Sequence, residues 1–287
     1  MSIKLDSVNY TYMKNTPFEK IGLSNINLEI AKGEFVAIIG HTGSGKSTLV
    51  QHLKGLLKPN SGSVLINNVD INDKSNDAKV AKNNIGIVFQ YPEQQLFEET
   101  IYKDIAFGPK NLGLSTEEIE ARVKMAMDFV SLNFDKYKSR SPFQLSGGQM
   151  RKVAIAGVIA LQPEYLILDE PTAGLDPIGR DDLFEKINDL YTEMGITVIL
   201  VSHNMDDVAR LAKRLIVMNN GEISLDNKPE EVFKFKDKLI EAGLALPQIT
   251  ELLIKIKNRG FNVNESIIKV EDAILDIKKI WGEDNKC

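Results

Sequence analysis

The segment Gly40–Thr48, which reads GHTGSGKST, constrains the fold of this 287-residue chain more than any other segment. It follows the apolar run FVAII, which is typical of a buried strand, and precedes a segment with helical character. Glycines let the backbone N–H groups of such a loop curl around a phosphate, and the start of the following helix adds its positive end. We expect Lys46 to reach the β- and γ-phosphates of a nucleotide and Ser47 to ligate Mg²⁺. The predicted nucleotide-binding residues of the loop are Gly40, His41, Thr42, Gly43, Ser44, Gly45, Lys46, Ser47 and Thr48.

A phosphate-binding loop by itself is compatible with a kinase, a GTPase or an ATPase. The run Tyr165–Glu170 (YLILDE) supplies a second candidate site, because it predicts an apolar strand that ends in two adjacent carboxylates. Side chains alternate along a strand, so Asp169 and Glu170 are expected to point in opposite directions. Asp169 can then belong to the Mg²⁺ shell, and Glu170 can polarise an attacking water as a general base. On its own, the pair is equally compatible with a polar strand end that has no chemical role.

The run Leu145–Gln149 (LSGGQ) indicates a second anion-binding nest, since a serine and two glycines stand at the start of a predicted helix. One nucleotide does not need two phosphate-binding loops. The second nest is explained if it serves a nucleotide held by a facing subunit.

Short apolar runs rich in β-branched residues predict an α/β fold. Runs of this length suit strands buried on both faces, as in a parallel sheet, and they are Phe35–Gly40, Ile85–Gln90, Tyr165–Glu170 and Thr197–His203. Helical signals lie between them, including a capping box at Ser115–Glu118 and an N-cap at Asp176 followed by proline. The predicted buried stripe after Asp176 is Leu183, Ile187, Leu190 and Met194.

Other segments predict an antiparallel portion and a helical end. Alternation within residues 2–35 and a hairpin-like run at Ser63–Asp70 indicate antiparallel strands. A helical insertion is expected at about residues 91–160, and Asn220-Gly221 marks a further hairpin. Amphipathic helical patterns follow, one of which carries Val270, Ile274, Ile277 and Trp281. We therefore expect one domain over residues 1–226 and an accessory helical domain over residues 227–287.

Composition excludes several classes of function. The 35 basic and 40 acidic residues give a formal charge of −5, which provides no general electrostatic reason to bind nucleic acid or an anionic membrane. Cys287 is the single cysteine, so one chain can build neither a disulfide framework nor a cysteine metal site. No apolar run approaches the ~20 residues of a spanning helix, and the first residues lack a signal-peptide core. Any membrane role is therefore expected to come through a partner.

The ordered set of motifs resembles the ATP-binding cassette (ABC) family over about residues 3–226. The matching motifs are Gly40–Thr48, LSGGQ, the strand ending in Asp169 and Glu170, the loop Ala173–Asp176, and His203 after its strand. The resemblance implies a P-loop NTPase cassette with a RecA-like core, an antiparallel β portion and a helical insertion. It also implies an ATPase that uses Mg²⁺ with ATP, and it disfavours a kinase or GTPase, which has no use for LSGGQ.

Residue roles follow from the same resemblance. The implied catalytic residues are Glu170, His203 as a γ-phosphate switch, and Gln90, and the implied metal ligands are Ser47, Gln90 and Asp169. The implied residues that act on the facing subunit's nucleotide are Ser146, Gly147, Gly148 and Gln149, with Asp176 in the adjoining loop. An aromatic side chain near the N-terminus is expected to stack on adenine, and Tyr12 is preferred over Tyr10. The remaining histidine, His52, is expected on a helix surface.

A narrower resemblance concerns the stretches Phe89–Phe97, Phe107–Asn111 and Ser141–Gln144. They look like the ATPases of energy-coupling factor (ECF) importers, including the cobalt-type CbiO proteins, which also carry a helical extension. This resemblance implies three partners: a second ABC ATPase chain, which is a paralogue or an identical copy, a transmembrane coupling subunit and a substrate-binding membrane subunit. It places the chain peripherally at the cytoplasmic face of the cell membrane and makes a vitamin or a transition-metal ion such as cobalt the cargo. A soluble ABC ATPase that acts on nucleic acid or ribosomes is the alternative.

Overall fold

The computed structural model describes the backbone of residues 1–284 and the side chains of residues 1–279. The strands are β1 (Ser2–Tyr12), β2 (Lys20–Ala31), β3 (Phe35–Ile39), β4 (Ser61–Ile66), β5 (Val69–Asp70), β6 (Ile85–Val88), β7 (Tyr165–Asp169), β8 (Thr197–Val201), β9 (Arg214–Asn219) and β10 (Glu222–Asn227). The helices are α1 (Lys46–Leu53), α2 (Asn76–Asn83), α3 (Ile101–Asn111), α4 (Thr116–Phe129), α5 (Phe134–Tyr137), α6 (Gly147–Ile159), α7 (Pro177–Met194), α8 (Met205–Leu211), α9 (Pro229–Val232), α10 (Lys236–Glu241), α11 (Gln248–Asn258) and α12 (Val270–Asp284).

The central sheet has the strand order β10-β9-β3-β8-β7-β6. The pairs from β9 to β6 are parallel, and β10 pairs antiparallel with β9 through the turn at Asn220-Gly221. Every residue of β3 and β8 is buried, as expected for strands covered on both faces. The four predicted apolar strands and the predicted hairpin are thus confirmed.

A second sheet is wholly antiparallel and has the order β2-β1-β4-β5. Its buried residues share one apolar cluster with α1 and with one face of the central sheet, for example Ile3, Ile30, Leu49 and Ile167. This sheet confirms the predicted antiparallel portion. It also places β1 and β2 beside the loop that precedes α1.

The segment from α3 to α6 is helical and packs on the opposite face of the central sheet. Both predicted capping signals are present, since Ser115 and Glu118 form a capping box and the Asp176 side chain accepts from the N–H of Gly179. The predicted stripe on α7 is wrong at Met194, which is 49% exposed. Phe184 is buried instead, because the face of α7 is set by its contact with Phe35 and the helical segment.

The helices after β10 pack partly on the central sheet. Buried residues of this segment, among them Val232, Leu239 and Leu244, share a cluster with Ala37 and Ile39 of β3. The predicted helix that carries Val270 and Ile274 is confirmed as α12. Both side chains are exposed, and Ala273 supplies the buried contact. The side chain of Trp281 lies outside the described residues, as do residues 285–287. The division at residues 226 and 227 stays a prediction.

Within the described residues, none of the helices combines the length and the apolar character that crossing a bilayer requires.

Candidate functional site

The candidate site lies where the parallel strands of the central sheet end. The carboxyl ends of β3, β8, β7 and β6 lie at one edge of the sheet, so the segments that follow them converge there. Those segments carry the loop before α1, His203, Glu170 and Gln90. The parallel topology therefore brings together residues that are far apart in the sequence.

The loop before α1 requires glycine at two positions for steric reasons. Gly45 has a φ of +108°, and a Cβ atom there would lie 2.8 Å from the carbonyl oxygen of Gly22. At Gly40, a Cβ atom would lie 2.4 Å from the hydroxyl oxygen of the buried Ser44. Because neither glycine carries a Cβ atom, the loop can pack this closely. Thr42, Gly43 and Ser47 remain exposed toward the cavity.

Helix α1 begins at Lys46, so the N–H groups of its first turn have no partner within the helix. The ammonium of Lys46 donates to the carbonyl oxygens of Gly40 at 2.6 Å and His41 at 3.0 Å. Burial lowers the pKa of Lys46, and the carboxylates of Glu170 and Asp169 act in the opposite direction. A phosphate at the loop would therefore meet both free N–H groups and a desolvated cation, an arrangement suited to binding anions.

The carboxylates at the end of β7 occupy different surroundings. Burial raises the pKa of Asp169, the charge of Glu170 raises it further, and Lys46 acts in the opposite direction. Glu170 adopts a left-handed backbone conformation with a φ of 50°, which is unfavourable for a residue with a side chain. Its Oε1 atom lies 2.7 Å from Nδ1 of His203. A water near Glu170 would therefore have a proton acceptor that His203 orients.

These residues line one cavity of about 820 Å³. Of the predicted residues, those lining it are Tyr12, Gly40, His41, Thr42, Gly43, Gly45, Lys46, Ser47, Thr48, Gln90, Asp169, Glu170 and His203. The hydroxyl of Tyr12 lies 2.9 Å from Oγ1 of Thr48, which fixes the tyrosine at the cavity wall. Tyr10 instead packs edge-on against His52, with ring centroids 4.8 Å apart. The geometry is thus consistent with Tyr12 as the residue that faces a nucleotide base.

The segment Ser146–Gln149 does not line this cavity. Ser146 and Gln149 form a capping box at the start of α6, and Gly147 and Gly148 are exposed. A Cβ atom at either glycine would meet no described atom within 4 Å. Packing within the chain therefore gives no reason for glycine at these positions. Asp176 is also exposed, and its carboxylate caps α7 at 2.7 Å from the N–H of Gly179.

Sequence reasoning missed several residues of the cavity, namely Lys20, Ile21, Gly22, Met205, Gly243, Leu244 and Ala245. The last three belong to the segment after α10, where a Cβ atom at Gly243 would lie 3.7 Å from Cβ of His41. A glycine after a helix signals a C-cap. Nothing in the local sequence signals its contact with a loop two hundred residues earlier.

His52 corrects another expectation, because it is fully buried rather than on the helix surface. Its Nδ1 lies 2.7 Å from the carbonyl oxygen of Thr48, so Nδ1 carries the proton, and the buried Nε2 has no hydrogen-bond partner among the described residues. Burial lowers the pKa of His52. The second sheet covers this face of α1, and that contact is not visible in the helix sequence.

The residues at the cavity suit a magnesium ion. Asp169, Ser47 and Gln90 offer a carboxylate, a hydroxyl and an amide oxygen, the hard oxygen ligands that Mg²⁺ prefers. Among the side chains of residues 1–279, no group of three or more histidine, cysteine, aspartate or glutamate residues could hold a metal ion. Such a sparse protein shell fits Mg²⁺ that is bound largely through nucleotide phosphates and water.

Comparison with known proteins identifies relatives along the whole chain. A model of the ABC transporter family matches residues 23–173. The energy-coupling factor transporter ATP-binding protein EcfA2 of Clostridium tetani is 56% identical over 282 residues, 98% of each chain. The protein of the same name from Clostridium perfringens is 57% identical over 280 residues, 96% of this chain and 98% of the relative.

Solved structures agree with this comparison. The structure of cbiO1 from Clostridium perfringens, described as part of the ABC transporter complex cbiONQ, has a TM-score of 0.72 at 40% identity and covers 87% of this chain and 97% of that one. The ATP-binding cassette MJ0796, captured as a dimer in a post-hydrolysis state with ADP and Pi, has a TM-score of 0.70 at 32% identity and covers 79% of this chain and 98% of that one.

Proposed function

The chain belongs to the ABC transporter family, as an ATPase of the energy-coupling factor type, and we propose that it powers an importer for a micronutrient. The cargo in this proposal is a vitamin or a transition-metal ion such as cobalt. The chain works at the cytoplasmic face of the cell membrane with a second ABC ATPase, a transmembrane coupling subunit and a substrate-binding membrane subunit. The names of its relatives support this assignment.

One observation supports the proposed mechanism: of the two elements that the sequence predicts to bind anions, only one lines the nucleotide cavity. The loop Gly40–Thr48 lines the cavity, and the start of α6 at Ser146–Gly148 lies outside it, exposed to solvent. Two chains that face each other head to tail would place each exposed α6 start against the other chain's nucleotide. Each chain then contributes half of two ATP sites, and neither completes a site alone.

Within its own half-site, the chain binds ATP, orients the attacking water and accepts a proton from it. The N–H groups at the start of α1 and the ammonium of Lys46 neutralise phosphate charge, which requires Lys46 to leave its contacts with Gly40 and His41. Glu170, oriented by His203 at 2.7 Å, accepts the proton of the attacking water. Tyr12 contacts the adenine ring. Once ATP is bound and Lys46 has moved to the phosphates, these groups lower the barrier because they need no further reorganisation during the reaction.

Ser47, Asp169 and Gln90 would hold Mg²⁺ at this site. When bound, the ion would neutralise charge that develops on the β- and γ-phosphates. The raised pKa of Asp169 marks a carboxylate that is poorly solvated in the nucleotide-free protein. A cation beside it would relieve that burial cost.

Two substitutions test the shared site. In the isolated chain, Lys46→Ala should weaken ATP binding tenfold or more, and Ser146→Arg should bind ATP like the wild type. In the assembled complex, each variant should lower hydrolysis, because Lys46→Ala disables the chain's own site and Ser146→Arg blocks the neighbouring chain's site. Ser139→Arg is the matched control, since Ser139 is an exposed serine of the same helical segment. Full hydrolysis by the Ser146→Arg complex would refute the shared site.

The partner and cargo need a separate measurement. Purification of the tagged chain from membranes should recover a second ATPase and two membrane subunits, which intact mass spectrometry identifies. Cells that carry the wild-type chain should accumulate the labelled vitamin or metal ion, and cells with Lys46→Ala should not. Recovery of the chain with ribosomes instead would favour the soluble ABC alternative, which the transporter names of the relatives do not support.

A further inference from the structure

Arg151 is a buried arginine that takes no part in the nucleotide cavity. It lies in the second turn of α6 and is 5% exposed. Among the lysines and arginines that the structure describes, it alone is buried. Burying a guanidinium is costly unless the group is paired and hydrogen-bonded, so its partners indicate why it is there.

The guanidinium joins three separate segments of the chain. Its Nε and Nη2 atoms donate to the carboxylate of Glu93, at 3.1 and 3.5 Å, and Nη1 donates to the carbonyl oxygen of Ala173 at 2.8 Å. Glu93 lies three residues after Gln90, in the short 3-10 turn Pro92–Gln95. Ala173 lies three residues after Glu170. Arg151 itself lies three residues after Gly148, so each segment adjoins an element of the proposed ATP sites.

The contact with Ala173 supports the turn that holds Glu170. In that turn, the N–H of Ala173 donates to the carbonyl oxygen of Glu170 at 3.2 Å. Glu170 has a φ of 50°, an unfavourable conformation that persists only when neighbouring contacts hold it in place. Arg151 bonds the carbonyl at the far end of the turn. The orientation of Glu170 therefore depends partly on a side chain of α6.

The segment after Gln90 is strained in the same way. Tyr91 has a φ of 54°, and a Cβ atom at Gly174 would lie 3.7 Å from its ring. Tyr91, Glu93, Arg151, Ala173 and Gly174 line one small cavity of about 170 Å³, together with Gly147, Gly148 and Leu175. The three segments thus meet around the guanidinium.

We propose that Arg151 is a positioning residue that links the start of α6 to the backbone of Glu170 and to the Gln90 segment. This inference rests on the proposed shared site, because the start of α6 would contact the facing chain's nucleotide. Closure of that contact moves α6, and Arg151 carries the movement to the turn after Glu170. Each chain thereby aligns its own general base when it engages its neighbour's ATP. Only arginine offers three donors in a fixed plane for such a junction.

The test uses the full chain in its assembled complex, with the variants Arg151→Lys, Glu93→Gln and the pair combined. Arg151→Lys keeps the charge and loses the planar fork, and Glu93→Gln keeps the shape and loses the ionic partner. We expect kcat to fall by about tenfold to a hundredfold in Arg151→Lys, the range that a misplaced reacting group produces. KM for ATP, and ATP binding by the isolated chain, should stay within twofold. The two losses should be less than additive in the double variant, as expected for contacting residues.

Glu99→Gln is the matched control, because it breaks an exposed ion pair with Lys103, 2.7 Å, in the same part of the chain. It should leave kcat unchanged. Arg151→Lys and Glu93→Gln both within twofold of the wild-type kcat would overturn the proposal. The proposal would also be overturned if kcat and ATP binding both fell by the same factor as the fraction of folded protein, because that result would indicate a structural role alone. Failure of the shared site is separate, since it would show as full hydrolysis by the Ser146→Arg complex.

Discussion

Glu170→Gln should stop ATP hydrolysis without weakening ATP binding. The substitution keeps the size and shape of the side chain, and glutamine carries the same backbone strain at a φ of 50°. It removes the proton acceptor whose Oε1 lies 2.7 Å from Nδ1 of His203. General-base help contributes about 10²- to 10⁴-fold, so kcat should fall by that factor, or about 2.7 to 5.5 kcal/mol in the barrier.

The charge of Glu170 also sets the direction of the binding effect. Its carboxylate raises the pKa of both Asp169 and Lys46. In the variant, both pKa values should therefore fall, and Asp169 should lose its proton more readily. A more readily ionised Asp169 favours Mg²⁺ with ATP. We therefore expect an ATP affinity equal to or higher than that of the wild type, and ATP-bound complexes that remain paired because they cannot turn over.

Phosphate release measures kcat, equilibrium binding of a fluorescent ATP analogue measures affinity, and sedimentation measures pairing. Glu164→Gln is the control, because Glu164 immediately precedes β7 at its opposite end and accepts from Asn67 Nδ2 at 3.2 Å. It should hydrolyse ATP at the wild-type rate. A Glu170→Gln complex that retains kcat within fivefold of the wild type would remove Glu170 from the general-base role. Loss of ATP binding would refute the electrostatic reasoning.

Three further outcomes follow from burial and backbone geometry. Asp169→Asn should abolish hydrolysis and raise the melting temperature of the nucleotide-free chain at pH 7. Because the pKa of Asp169 is raised in the folded state, the wild-type chain loses stability as the pH rises above the pKa of the unfolded state. Thermal scans should therefore show that the gain disappears below pH ~4. The lowered pKa of His52 means that the free energy of unfolding of the wild-type chain falls by up to about 1.4 kcal/mol per pH unit below pH ~6.5. His52→Gln should remove this fall when the free energy of unfolding is measured in urea as a function of pH. Equal slopes for the wild type and the variant below pH ~6.5 would contradict this. Gly243→Val, at a φ of +68°, should lower the free energy of unfolding by about 1–2 kcal/mol and weaken ATP binding, because Gly243 lies beside His41. Gly113→Val is the control: at a φ of +75°, with no described atom within 4 Å of its Cβ position, it should lower stability equally and leave ATP binding intact.

Much of the fold was predictable because its causes are local. The apolar runs around Ile38 and Ile199 indicate strands buried on both faces, and Asn220-Gly221 indicates a hairpin. The capping box at Ser115 and Glu118 needs no information from outside its own turn. The glycines at Gly40–Gly45 likewise predict a phosphate-binding loop from backbone freedom alone.

The sequence by itself determined which elements form and which motifs end them, since hydrogen bonding within a turn and side-chain periodicity act over a few residues. Only the tertiary structure decided which elements meet. It pairs Glu170 with His203, places Gly243 at the cavity, and surrounds Arg151 with Glu93 and Ala173. These contacts depend on strand order and on which helix face the sheets cover, and that choice is made by packing across the whole chain rather than by any segment of it.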